Sequence, residues 1–199
     1  MCTVLVTMRS LAERRLTDLR DALITIPDWR TWRTCAFEYS LILICAVPIG
    51  LLSGLLRPSL SRLSPAEMAA AGLLLFVQPA LAEEIVFRGL LLPRHAGSMS
   101  RGRLIAVAGA ALVVYVASHP LNALLFRPGA LSLFESPAYL VLTALLGLAC
   151  TATYFISRSI WPPVALHWLT MLTWIWLLDG EALLDQTARV FARALVTSV

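Results

Sequence analysis

Residues 72–93 read GLLLFVQPALAEEIVFRGLLLP, and the reading of this stretch decides the fold. Both flanks are apolar, yet the middle carries Gln78, Pro79, Glu83, Glu84 and Arg88. A helix start lies just upstream, where Ser64-Pro65-Ala66-Glu67 places a capping serine before a proline at the first helical position. A helix over residues 65–92 is long enough to cross a hydrocarbon core of roughly 30 Å. Each charge held at that depth costs on the order of 2.5–3.5 kcal/mol. Two carboxylates and a guanidinium in such a helix therefore need partners or a job.

The rest of the chain supports a membrane setting. Of 199 residues, 59% are hydrophobic and 14% charged, where soluble domains carry about a quarter charged. The mean hydropathy is +0.79. Four further apolar runs, at about 35–56, 104–119, 138–156 and 161–178, bring the expected number of spans to five. Pro120 is expected to stop the third and Pro162-Pro163 to open the fifth. The alternation of a membrane barrel is absent, so the fold class is an all-α membrane protein, a bundle of about five transmembrane helices. Residues 1–34 read as an amphipathic, interfacial segment, with Leu11, Leu16, Leu19, Leu23 and Ile26 roughly on one face and Trp29, Arg30, Trp32 and Arg33 at a membrane boundary. Residues 35–180 form the transmembrane domain. Residues 181–199 form a second amphipathic tail, with Leu184, Ala188, Phe191 and Leu195 on one face. No signal peptide is expected, because the apolar start from Cys2 to Met8 is short and runs into Arg9, Arg14 and Arg15.

The net charge is +4, from 16 arginines and no lysine. The arginines sit in short loops between apolar runs, so they read as topology and headgroup anchors and not as a nucleic-acid surface. One side of the membrane collects the N-terminus, the 94–103 loop and Arg158. The other collects Arg57, Arg62, Arg127, Arg189 and Arg193. The richer first side places the N-terminus in the cytoplasm. Cys2, Cys35, Cys45 and Cys150 show no ligand spacing, and neither a disulfide nor a thiolate metal site is expected.

Glu84 and Arg88 are spaced i, i+4 with the acid first, the favoured order for a helix ion pair. They are expected to neutralise one another. Glu83 points about 100° away around the helix and is left over, an acid in low dielectric poised to take or give a proton. The plain alternative is that all three charges bind neighbouring helices; it suffices for Glu84 and Arg88 but not for Glu83. Two later spans carry histidines. His119 closes Tyr115-Val-Ala-Ser-His119, with Tyr115 one turn back on its face, and His167 opens His167-Trp-Leu-Thr-Met171 well inside the fifth span. A lone histidine on an apolar helix is more often a packing residue, but two of them with a spare glutamate weaken that account. A glutamate can deprotonate a water held by one histidine while the other donates to the oxyanion on a scissile carbonyl. The same three side chains could instead bind zinc as a His2Glu set, although HExxH is absent. Ser118 diverges from His119 on a helix, so no Ser–His pair is expected.

These segments resemble the motifs of the CPBP family, which groups CAAX prenyl proteases with bacteriocin-processing and self-immunity proteins. That family's pattern is EExxxR, then FxxxH, then HxxxN on successive helices. Here Glu83-Glu84-Ile-Val-Phe-Arg88 matches in full, Tyr115 replaces phenylalanine before His119, and Met171 stands where asparagine is usual after His167. The resemblance covers roughly residues 66–178. It implies Glu83 as catalytic base, His119 as its partner on water, His167 as part of the oxyanion hole, and Glu84 with Arg88 as a supporting ion pair. Met171 departs from it, since a thioether cannot donate a hydrogen bond; Thr170 or Asn122 could supply the donor instead.

The expectation is thus an intramembrane endopeptidase acting on a membrane-associated peptide or protein within the lipid bilayer, with no nucleic-acid partner and no required cofactor. The arginine-, alanine- and leucine-rich composition points to a bacterial plasma membrane and to no assumed prenyl group. The rival is a catalytically silent scaffold or immunity protein of the same family, which Met171 favours. A proton-coupled carrier is a third reading, disfavoured by the absence of an internal repeat.

Overall fold

The computed structural model describes residues 2–95, 97 and 99–180, with side chains from residue 13 onward. The tail expected to be amphipathic, including Leu184, Arg189, Phe191, Arg193 and Leu195, lies outside the described residues. Among those described, seven helices and no strand are found: α1 (Cys2–Ile24), α2 (Trp29–Leu52), α3 (Pro65–Leu90), α4 (Arg101–Phe126), the short α5 (Leu131–Phe134), α6 (Pro137–Ser157) and α7 (Trp161–Leu177).

Four of these, α2, α3, α4 and α6, are long and apolar enough to cross a membrane. At 17 residues, α7 covers about 25 Å, at the short end of what a span requires. The surface fits a lipid solvent: Phe37, Ile44, Val113 and Phe126 are each more than 60% exposed, which in water would be an aggregation hazard. The all-α membrane fold read from the sequence is therefore borne out.

Local chemistry explains the helix starts. The Ser64 hydroxyl accepts from the Glu67 amide at 3.3 Å while the Glu67 carboxylate accepts from the Ser64 amide at 2.9 Å, a reciprocal capping box ahead of Pro65. The Ser100 and Ser136 hydroxyls accept from the Arg103 and Tyr139 amides at the heads of α4 and α6, without the reciprocal bond, and Asp28 accepts from the Thr31 amide at the head of α2. Hydrogen bonds from Thr31 hold the exposed Asp28 carboxyl below the usual carboxylate range. Helix α6 ends at Arg158 in the left-handed conformation, φ 53°.

Expected boundaries move in the first and third spans; α2 ends at Leu52 and not at residue 56, and α4 starts at Arg101 and not at residue 104. The first span begins at Trp29, not at residue 35. The third does not stop at Pro120: α4 runs on to Phe126. A proline removes a single rung, and the Ser118 hydroxyl and His119 ring both bond the Tyr115 carbonyl in that turn. The following Leu121, Leu124 and Leu125 lie exposed on the lipid side, where leaving the helix would strand backbone groups without partners.

Helix α2 packs along α6, α6 along α7 and α4, and the first half of α3 along α7. Close approach relies on small residues, as expected in membranes. The Gly72 carbonyl accepts from the Trp168 indole at 2.8 Å. Gly147 on α6 lets α4 approach so closely that a Cβ there would meet Leu112 at 2.6 Å and the Tyr115 ring at 2.9 Å. Free thiols occur at Cys35, Cys45 and Cys150; Cys35 and Cys150 are buried, whereas Cys45 faces outward. Helix α1 is docked on the bundle. Its end is tied to the α6–α7 turn by the Ile160 amide on the Ala22 carbonyl (3.2 Å), the Trp161 indole on Leu23 (2.8 Å) and the Ser159 hydroxyl on Thr25 (2.6 Å).

Candidate active site

The polar middle of α3 is not a regular helix. Gln78 has φ −138° and ψ 114°, outside the helical region. Pro79 accounts for this, because a proline ring disfavours α conformation in the residue before it. The break lies inside the segment 76–81; beyond it Ala82–Glu84 form an α turn and residues 85–90 a wide π turn. Such turns recur at functional sites. Here they carry the two glutamates to different surroundings.

Glu84 is fully buried. Its Oε1 accepts from Arg88 Nη1 at 3.1 Å and from His167 Nδ1 at 2.9 Å. Arg88 is buried as well; its Nη2 donates to the Gly147 carbonyl at 2.9 Å, and its guanidinium carbon lies 4.5 Å from the centre of the Tyr115 ring. The ion pair expected from the i, i+4 spacing is present, and it reaches three other helices. His167 turns Nδ1 to Glu84 and also lines the cavity of Glu83, which leaves Nε2 as its uncommitted nitrogen.

Glu83 faces the other way, into a cavity of about 400 Å³ lined also by Gln78, His119, Asn122, Tyr139, His167 and Met171. Its Oε2 is buried with no hydrogen-bond partner among the described residues. The nearest basic group is His119 Nε2 at 4.0 Å. The other His119 nitrogen, Nδ1, lies 2.9 Å from the Tyr115 carbonyl, which can only accept, so Nδ1 carries the proton and Nε2 is the nitrogen turned to Glu83. Ser118 bonds the Tyr115 carbonyl and makes no pair with His119.

A second, more apolar cavity of about 270 Å³ lies between α2, α6 and α7. His119, Tyr139, His167, Met171 and Trp174 line both cavities. Asn122 lines only the cavity of Glu83. Thr170 lines only the apolar one, where its hydroxyl pairs with Tyr39 of α2 and bonds the Leu166 carbonyl at 2.8 Å. Tyr39, Tyr139 and Trp174 were not singled out from the sequence. Trp174 had a signal, since it follows His167 and Met171 on one helical face at i+7 and i+3. Tyr39 and Tyr139 had none. Among the described residues no three His, Cys, Asp or Glu side chains are grouped as a metal site would require. Glu83, His119 and His167, the three side chains of the His2Glu alternative, line one cavity.

A bundle of apolar helices enclosing a buried ion pair, an unpartnered glutamate and two histidines around a cavity defines an integral membrane protein with a polar intramembrane site. Residues 65–173 match the family described as type II CAAX prenyl endopeptidase Rce1-like, which covers just over half of the chain. The chain belongs to this family of CAAX-type intramembrane proteases, a branch of the CPBP family, as its motifs suggested. Neither the curated proteins nor the solved structures yielded a match.

Proposed function

We propose that this protein is an intramembrane endopeptidase that hydrolyses a peptide bond of a membrane-associated peptide or protein, using a water activated by Glu83 and His119 and no metal. The observation that carries the reading is the pairing of Glu83 Oε2 with His119 Nε2 at 4.0 Å beside a cavity. That gap is too long for a direct hydrogen bond, but one water can reach both atoms at about 2.8 Å. His119 Nε2 accepts a hydrogen bond from the water and orients its oxygen; Glu83 takes the water's other hydrogen as a proton while the oxygen attacks the carbonyl carbon. Glu83 then returns the proton to the leaving amine. His167 Nε2 and Asn122 face the cavity in which the oxyanion would form. Glu84 and Arg88 hold His167 in place and touch no substrate. The composition supports a bacterial plasma membrane as the setting.

The test uses purified protein in liposomes with two internally quenched peptides, one carrying a farnesylated cysteine and one an unmodified apolar sequence. Glu83→Gln should abolish cleavage while the protein still inserts and accumulates; full activity in that variant would end the general-base assignment. Chelators should leave the rate unchanged, and loss with recovery on adding zinc would replace water activation by a metal mechanism. The competing reading, a silent scaffold, is favoured by Met171, which offers no donor where the family has asparagine. It would stand if neither peptide, nor any peptide in a proteome-derived library, is cut.

A further inference from the structure

Tyr115 is fully buried at the centre of the site. Its ring makes edge contacts with Phe87 (centroids 5.0 Å apart), His119 (4.9 Å) and His167 (6.4 Å), and offers its face to Arg88. Phenylalanine, the residue of the family pattern, would make every one of these contacts. The hydroxyl adds nothing to them. It is buried with no hydrogen-bond partner among the described residues, which is unfavourable unless the group has a use.

Its position indicates one. Tyr115 lines the apolar cavity, Glu83 lines the other, and the wall between them is His119, Tyr139, His167, Met171 and Trp174. A scissile carbonyl at this junction has the water of Glu83 on one side and Tyr115 on the other. Met171 stands at the same wall and cannot donate. This chain therefore departs from the family pattern twice at one junction, losing a donor at 171 and gaining a hydroxyl at 115.

We propose that the Tyr115 hydroxyl donates to the oxyanion in place of the donor that Met171 cannot supply, which makes Tyr115 a catalytic residue of this chain. This rests on the protease reading above. As water oxygen bonds to the carbonyl carbon and its proton passes to Glu83, the carbonyl π pair moves onto oxygen. The Tyr115 O–H hydrogen-bonds that oxygen and keeps its own proton. Collapse re-forms the carbonyl, and the amine leaves with the proton from Glu83.

The test compares Tyr115→Phe, Met171→Asn and the double variant on the two peptides above. Tyr115→Phe preserves every ring contact and is expected to fold. We expect it to lower kcat by about 10²-fold with KM little changed, to leave the melting temperature equal or higher, and to regain most of the rate when Met171→Asn is added. Two results would overturn the assignment: activity in Tyr115→Phe within about threefold of wild type, or a sharp fall in its melting temperature, which would make the hydroxyl a structural group. A wild-type protein that cuts neither peptide would remove the protease reading and this donor with it. An active wild type with an equally active Tyr115→Phe removes the donor alone.

Discussion

Glu83 and Glu84 are chemically identical neighbours with opposite surroundings. Glu84 holds Arg88 and His167 through its Oε1, whereas Glu83 makes no such bond and borders a cavity, with His119 Nε2 4.0 Å from its Oε2. Removing a partner of a buried pair leaves an uncompensated charge, which costs about 3–5 kcal/mol. Arg88→Leu should therefore cost stability on that scale in detergent melts, while Glu83→Gln should leave the melting temperature nearly unchanged. Equal effects of the two would mean that both glutamates are structural. Arg88→Lys should not rescue, because one ammonium lacks the fork that reaches the Glu84 carboxylate and the Gly147 carbonyl together. At this scale the sequence was most informative: i, i+4 spacing named the ion pair, and elimination left Glu83. It could not say that His167 would turn to Glu84, because that depends on the packing of α7 against the second half of α3.

Among the elements, α3 carries the most function. Its break at Gln78 follows from Pro79 and releases the second half to turn independently of the first. Pro79→Ala should let the helix rewind and carry Glu83 away from His119. We expect about 10²-fold lower activity from such misplacement, with insertion unaffected; an unchanged rate would show that the break does not position the glutamate. At the other end, Ser64→Ala should destabilise by about 1 kcal/mol through loss of the cap, without altering KM. Capping and turn residues were legible because they act within four residues of themselves. The course of α4 through Pro120 was not. Its continuation depends on lipid along Leu121, Leu124 and Leu125, and on side chains that bond the Tyr115 carbonyl, neither of which a proline rule takes into account.

Over the whole molecule, the bundle is closed by contacts far apart in the chain. Arg94 joins three segments: Nε donates to the Arg158 carbonyl at 3.0 Å, Nη2 to the Thr25 hydroxyl at 2.7 Å, and Nη1 lies 3.8 Å from Asp21. Together with Ser159, Ile160 and Trp161 it clasps the end of α1 to the turn that leads into His167. Arg94→Met should lower stability by about 1–2 kcal/mol and raise amide exchange at residues 22–25 and 158–161 together. Exchange rising in only one of these segments would show that the clasp is not one unit. Helix α1, expected to lie on the membrane surface, is thus joined to the protein at its C-terminal end, and Ala22 there is fully buried.

By itself the sequence determined that the chain is a helical membrane protein, where α3 and α7 start, and which family its motifs belong to. These follow from apolar run lengths, caps within a turn and residue spacing along one helix, all of which are local. Tertiary structure alone decided which of two adjacent glutamates borders a cavity, that Asn122 and not Thr170 shares that cavity with it, and that Tyr115, whose hydroxyl is unpartnered, lines the apolar cavity together with Met171. Those facts depend on how α3, α4, α6 and α7 rotate about their axes, and rotation is set by close packing at Gly72 and Gly147 and by hydrogen bonds between residues far apart in the chain, such as Glu84 with His167 and Gly72 with Trp168.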